Sequence, residues 1–184
     1  MKPFVLIALI LWIADNFIRE VLRNRGEITR IREDRHSSLL VIIYLLIVFS
    51  VPLLNFVDGS IFTVIYLHGI GVMLQIAGII VRISAMKTLQ KFYTGTLQII
   101  DNHVIVKKGW YKFVRHPGYL SVLLSSLGFG LAVGNWIGLF VIIISFLFIY
   151  SYRIASEEKM MINNFGDEYL EYIKSTKKLI PFVY

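Results

Sequence analysis

Long apolar runs, separated by short clusters of arginine, lysine and acidic residues, organise this sequence. The first covers 3–14 and reaches span length by continuing past Asp15 and Asn16 to Ile18. A second covers 39–57 and a third 61–81, parted by Asp58-Gly59-Ser60, a composition that favours a tight turn. Two more, 119–133 and 136–152, are parted by Gly134 and Asn135. A helix needs roughly 18–20 apolar residues to cross the hydrocarbon core, so the run 119–133 only just reaches. The pattern predicts an all-α integral membrane protein of five transmembrane helices, about 3–18, 39–57, 61–81, 119–133 and 136–152. The last two form a C-terminal helical hairpin, and 1–184 is expected to be a single domain with a cytosolic loop (82–118) and tail (153–184).

Within the runs, Pro52 is expected to kink the second span. His68, Gly69, Gly71, Gln75 and Gly78 put small and polar residues into the third, where a neighbouring helix can approach closely. His68 is expected as a hydrogen-bonded histidine, not a ligand. Asp15 is expected at the membrane interface near Arg19, an intramembrane functional carboxylate being the alternative. Between the third and fourth runs, 97–100 and 103–106 flank Asp101-Asn102 and suggest a short strand-turn-strand. Gly128-x-Gly130 lies inside an apolar helix with no strand before it and does not count as a dinucleotide loop.

Composition agrees with this reading. Of 184 residues 57% are hydrophobic and 17% charged, against about a quarter charged in ordinary globular domains. With no cysteine, disulfides and thiolate metal sites are excluded, and the four histidines have no ligand spacing, so no metal is expected. The net charge of +7 is the one feature that could suggest nucleic acid. Its placement argues otherwise: six basic residues fall in 19–35, seven in 82–115, five in 153–178, and only Lys2 elsewhere. By the positive-inside rule the N-terminus is outside, while both long loops and the C-terminus are cytoplasmic. The charge then marks topology and attraction to anionic membrane lipid, and no nucleic-acid partner is expected. Six arginines after the first run, with no small-x-small cleavage site, favour a transmembrane helix over a signal peptide.

Two polar segments carry the candidate chemistry. In the first, Pro117 suits the opening turn of a helix, which puts Arg115 and His116 at its N-terminal mouth, where free amides favour anions. In the second, the last apolar helix continues past Tyr152 so that Arg153 and Glu157 share one face. Gly166 is expected to end that helix and Asp167 to cap a short one following it. Met161, Phe165, Tyr169 and Tyr172 then form an apolar stripe that packs on the loop or the membrane surface.

Together these segments resemble the isoprenylcysteine carboxyl methyltransferase family, whose pattern is shared in large part by integral-membrane phospholipid methyltransferases. The matching residues are Gly109-x-Tyr111, Arg115-His116-Pro117-x-Tyr119, Arg153-x-x-x-Glu157-Glu158, Phe165-Gly166-x-x-Tyr169-x-x-Tyr172 and Pro181. The resemblance covers roughly 95–184; the first three spans carry no motif, and Ser121 stands near where many relatives have glycine. It implies S-adenosylmethionine held without a Rossmann domain by the loop before the hairpin and the tail after it. The implied cofactor contacts are Gln98, His103, Val104, Ile105, Val106, Tyr111, His116, Pro117, Gly118, Tyr119 and Glu157. Arg153 is implied as the substrate-binding residue, and Arg153 and Glu157 as the catalytic pair.

The chemistry suits these residue types. A sulfonium donor with an amino-acid tail calls for a carboxylate near its positive charge and a positively polarised pocket for its own carboxylate. An acceptor carboxylate needs no base, and the planar arginine fork can hold it. The expected activity is methyl transfer to a lipophilic or lipid-linked acceptor, most simply an isoprenylcysteine-like carboxylate. The alternatives are a phospholipid amine N-methyltransferase, an NADPH-dependent membrane reductase and a non-catalytic membrane scaffold.

Overall fold

The computed structural model describes residues 2–22, 31–32, 35–55, 64–93, 97–100 and 102–181. Five long helices fall on the five apolar runs: α1 (Lys2–Leu22), α2 (Arg35–Leu54), α3 (Ile65–Leu89), α4 (Pro117–Val133) and α5 (Trp136–Phe165), with a short α6 (Asp167–Ser175) after them. The Asp58-Gly59-Ser60 turn lies outside the described residues. Two helices, 65–92 (α3 with the 3-10 turn that extends it) and α5, are long and apolar enough to cross a membrane, and Ser38–Leu54 and Pro117–Val133 are shorter apolar helices. Pro52 lies inside α2, which ends two residues later.

α4 is the axis. It packs against α1, α2, α3 and α5, and its Leu120, Val122, Phe129, Ala132 and Val133 join Ala8, Trp12, Tyr44, Val48, Ile142 and Phe146 in the main apolar core. Its contact with α3 is built from small residues. A Cβ added at Gly128 would lie 2.5 Å from the Gly71 carbonyl and 2.6 Å from the Gln75 amide, and one at Gly78 would lie 2.8 Å from the Ser125 amide. The two backbones therefore touch, as the small-residue face of the third run predicts. Gly69 is the exception, with nothing within 4 Å of an added Cβ. His68 places Nδ1 2.9 Å from the Ala132 carbonyl, and Gln75 donates to the Ala8 carbonyl at 3.2 Å.

Asp15 corrects the expectation from sequence. It is 2% exposed, inside the bundle, with Oδ1 2.7 Å from Arg82 Nε. α1 turns Leu6, Ile10, Ile13, Phe17 and Val21 outward, so Ala8, Trp12 and Asp15 on the opposite face must pack inward. The partner in direct contact that makes this burial tolerable is Arg82 of α3.

The turn between α4 and α5 is held by asparagines. α4 closes on Gly134 in a left-handed conformation (φ +80°), and Asn135 caps α5 by accepting from the Gly138 amide at 2.7 Å. Asn135 also donates to Asn55 at 3.0 Å, and Asn55 to the Val133 carbonyl at 3.3 Å. The expected strand-turn-strand over 97–106 does not form. Gln98–Ile99 (β2) instead pairs antiparallel with Ile31–Arg32 (β1). Asn102 does turn the chain (φ +54°), but 103–106 runs along a cavity instead of folding back on 97–100, so its ladder is never made. Gly166 ends α5 at φ +54°, as expected, and is itself the cap position of α6; Asp167 sits within the first turn. There its negative charge suits the helix N-terminus.

Candidate active site

α5 runs for 30 residues, roughly 45 Å at 1.5 Å per residue, and its second half carries Arg153, Glu157 and Glu158. Opposite it stands the start of α4. Gly109, at φ +56°, opens a 3-10 turn over Gly109–Lys112 that buries Tyr111. Pro117 begins α4 with His116 as the preceding cap residue, as its fixed φ requires.

The C-terminal segment binds these two parts together. Val114 bridges Lys177 in parallel, the Arg115 amide donates to the Lys177 carbonyl at 2.8 Å, and the His116 amide to that of Lys178 at 3.2 Å. Arg115 Nη1 donates to the Thr176 carbonyl at 2.6 Å and to that of Ile173 at 3.2 Å, while its Nε reaches Glu158 at 2.9 Å. Glu158 also lies 3.2 Å from His116 Nε2 and 3.6 Å from Lys178 Nζ. Burial opposes its ionisation, but the hydrogen bonds from His116 and Arg115 prevail and hold its carboxyl down at about 2. Arg115 is thus a clamp on the tail, a role its place at the helix mouth did not suggest. Tyr172 adds a bond to the Tyr111 carbonyl at 2.6 Å. Of the expected apolar stripe, Met161 and Phe165 pack on the loop, joining Met160 against Leu97 and Ile99.

Glu157 does something different from its neighbour. One residue turns a helix by about 100°, which aims Glu157 into a cavity and Glu158 into the clamp. Their side chains are 30% and 14% exposed. Glu157 accepts from the Tyr119 hydroxyl at 2.5 Å, and that hydroxyl accepts from Arg153 Nε at 2.9 Å. The guanidinium lies 5.8 Å over the Tyr119 ring, and His116 stacks on the same ring at 5.5 Å.

The cavity, of about 300 Å³, is lined by Gln98, His103, Val104, Ile105, Val106, Tyr111, His116, Gly118, Tyr119, Arg153 and Glu157. Every residue that the resemblance implied lies on its wall except Pro117, whose part is to start the helix. Sequence reasoning did not identify Arg19, Glu20, Ser38, Val41, Ile42, Arg82 and Tyr150 as lining. They come from α1, α2, α3 and α5; all but Tyr150 lie far from both motif blocks, and no local pattern marks them. Tyr169 and Tyr172 also line it, beyond the packing role expected of them. Burial keeps His103 below the usual histidine range, the charge of Glu157 offsetting part of this. Burial first, and Glu157 second, push the Tyr111 hydroxyl well above the usual range, so it is neutral. Among the described residues no cluster of three or more histidine, aspartate and glutamate side chains is placed to hold a metal.

The cavity, with both polar and apolar walls, thus lies where an apolar bundle meets a cationic loop, with Arg153 and Glu157 on its wall. The chain belongs to the isoprenylcysteine carboxyl methyltransferase family, whose model matches residues 71–163, from within α3 to near the end of α5. It is 34% identical over 116 residues to the protein-S-isoprenylcysteine O-methyltransferase of Saccharomyces cerevisiae, covering 62% of this chain and 48% of that protein. It is 29% identical over 120 residues to protein-S-isoprenylcysteine O-methyltransferase A of Arabidopsis thaliana, covering 64% of this chain and 61% of that one. The match to these relatives thus takes in about half to three-fifths of their length. The fold is similar to that of the eukaryotic intramembrane Ras methyltransferase, isoprenylcysteine carboxyl methyltransferase, with a TM-score of 0.64 and 22% identity over 83% of this chain and 55% of that one.

Proposed function

We propose that this chain is a membrane-embedded, S-adenosylmethionine-dependent methyltransferase acting on the carboxylate of a lipophilic acceptor, an isoprenylcysteine-like lipid. The observation that carries this is the run Arg153–Tyr119–Glu157, which sets a guanidinium and a carboxylate on one small cavity beside the apolar helices. The residues present fit the methyl donor. Glu157 offers negative charge to the cavity, buried His103 Nδ1 has no hydrogen-bond partner among the described residues, and Gly118 leaves open space beside its Cα. At about 300 Å³ the cavity sits at the small end of the ligand-pocket range, roughly 300–1,000 Å³.

Gln98, His103, Val104, Ile105, Val106, Tyr111, His116, Gly118, Tyr119 and Glu157 would hold the donor, with Pro117 setting the helix mouth. When bound, S-adenosylmethionine supplies a methyl group on a positively charged sulfur already activated for transfer. Glu157 balances positive charge on the donor side. Arg153 holds an acceptor carboxylate through its planar fork, fixing direction as well as charge. A carboxylate nucleophile has no proton to lose, so the chain need supply no base. Its work is alignment and partial desolvation, to which the rings of Tyr119, Tyr150 and Tyr172 on the cavity wall would contribute. In this reading all five long helices cross the membrane as one domain, with the N-terminus outside and the loop, tail and cavity at the cytoplasmic face. An acceptor dissolved in the bilayer then reaches Arg153 without leaving it.

The test has two parts. Purified protein in lipid nanodiscs is titrated calorimetrically with S-adenosylhomocysteine and with NADPH; binding of the first alone is expected. Methyl transfer from labelled S-adenosylmethionine is then measured with N-acetyl-S-farnesylcysteine and with phosphatidylethanolamine. A base-labile methyl ester on the first supports the reading. Base-stable methylation of the amine, or binding of NADPH alone, overturns it.

A further inference from the structure

Arg82 lines the cavity from α3 yet is only 4% exposed, and its Nε lies 2.7 Å from Asp15 Oδ1. The contact is one of charge and not an aligned hydrogen bond. Arg82 Nε and Asp15 Oδ1 both stay without a hydrogen-bond partner among the described residues. A guanidinium carries five N–H donors, and burying them unmet is costly. A pair that served only to fasten α1 to α3 would have no need to face a cavity. The wall on this side is helix surface, with Val41 and Ile42 of α2, Val122 of α4 and Tyr150 of α5. The Tyr150 hydroxyl is within electrostatic reach of both Arg82 and Arg153, which puts the two guanidiniums near one ring.

Resting on the carboxylate reading above, we propose that Arg82 is a second binding residue for the acceptor carboxylate, with Asp15 positioning it. A carboxylate offers about four lone-pair directions and one arginine fork fills two, so a second guanidinium can join without displacing the first. Arg153 is steered by Tyr119, to whose hydroxyl its Nε donates at 2.9 Å. Asp15 steers Arg82 from the opposite end of the sequence. It also compensates the charge of Arg82 when no acceptor is bound, which a guanidinium buried this deeply requires. The apolar surroundings favour the acceptor over the donor as the ligand, since a lipid tail can lie along Val41, Ile42 and Val122 while its carboxylate meets the arginines. Methylation removes the negative charge that both guanidiniums hold. The second arginine therefore sharpens selection of the free acid over its own ester product and helps that product leave.

The test uses the full chain in nanodiscs saturated with S-adenosylhomocysteine, titrated with N-acetyl-S-farnesylcysteine and separately with its methyl ester. Asp15→Leu/Arg82→Met removes the guanidinium and its counter-charge together, leaving no stranded ion. It is expected to weaken binding of the acid about tenfold or more, the size of one charge-assisted hydrogen bond, and binding of the ester less than about threefold. Affinity for S-adenosylhomocysteine itself is expected to change less than about threefold, because Arg82 touches the other reactant. Should the double variant not be recovered folded, Arg82→Lys decides. It keeps the charge beside Asp15 but loses the fork, and is expected to weaken the acid about threefold or more with the ester unchanged. Acid and ester weakened alike would make Arg82 a support of cavity shape only, and would overturn the proposal. Acid binding left intact overturns it too, as does a loss confined to S-adenosylhomocysteine, which would assign Arg82 to the donor's own carboxylate. A wild type that binds S-adenosylhomocysteine but holds the ester as tightly as the acid instead sinks the carboxylate reading itself, before any variant is made.

Discussion

Two seams hold this molecule together, and they are built on opposite principles. Where α3 meets α4, Gly71, Gly78 and Gly128 let the backbones touch, and the polar residues nearby are buried: Asp15 lies against Arg82 and His68 against a carbonyl. Where α5 meets the loop and tail, long side chains span the gap. Arg115, Glu158 and Tyr172 reach across to carbonyls and to one another, and between the elements they keep apart lies the cavity. Backbone contact leaves no room for a ligand, whereas side-chain bridges do. The first seam is a frame, and the second is where chemistry can be housed.

The sharpest way to break the frame is through its ion pair. Removing one partner of a buried pair strands the other and costs about 3–5 kcal/mol, whereas replacing both with apolar residues of similar size can be neutral or better. Asp15→Leu is expected to lower the thermal midpoint steeply, with Asp15→Leu/Arg82→Met restoring most of it. The measurement is unfolding of both variants in one lipid system. A double variant as unstable as the single would mean that Arg82 serves the cavity it lines and not chiefly the frame.

A smaller loss is expected at the glycines. Gly128→Ala must push Gly71 and Gln75 backbone atoms that lie 2.5 and 2.6 Å from the new Cβ, for roughly 1–3 kcal/mol of overpacking. Gly69→Ala meets nothing and should gain about 0.5–1 kcal/mol from helix propensity alone. Equal effects at the two positions would show that the contact gives way without cost.

The frame could be read in part from sequence, because Gly71, Gln75 and Gly78 recur at helical spacing in an apolar run. Asp15 could not: its partner Arg82 lies on another helix, and a charge near the end of an apolar run reads equally well as interfacial. The pairing of β2 with β1 escaped for the same reason, since strands of two residues joined across a long loop leave no periodicity. The cavity's polar wall was visible in the two motif blocks, whose residues the fold does bring together. Its other wall is ordinary helix surface from α1 and α2, which becomes a wall only by being placed there. The division of labour between Glu157 and Glu158 was half visible. Helix geometry separated them, but the clamp on Glu158 depends on a tail that returns to the motif loop.

That pair gives the finest test of the two-seam picture. Glu157→Gln is expected to weaken S-adenosylhomocysteine binding far more than Glu158→Gln, because only Glu157 lines the cavity. Glu158→Gln should instead loosen the tail, accelerating hydrogen exchange of the Arg115 and Lys177 amides that pair with it. The direction with pH follows from the lowered carboxyl. A group held down at about 2 in the folded chain, against an ordinary 4.5, stabilises fully above 4.5 and loses that contribution as pH falls through 2. Tail protection, corrected for intrinsic exchange, should thus be flat from pH 8 to about 5 and decline only below the ordinary carboxylate range, around 4.5. In Glu158→Gln that decline should disappear, since the amide has no proton to take up. A wild-type decline centred well above the ordinary carboxylate range would mean that a group other than Glu158 holds the tail.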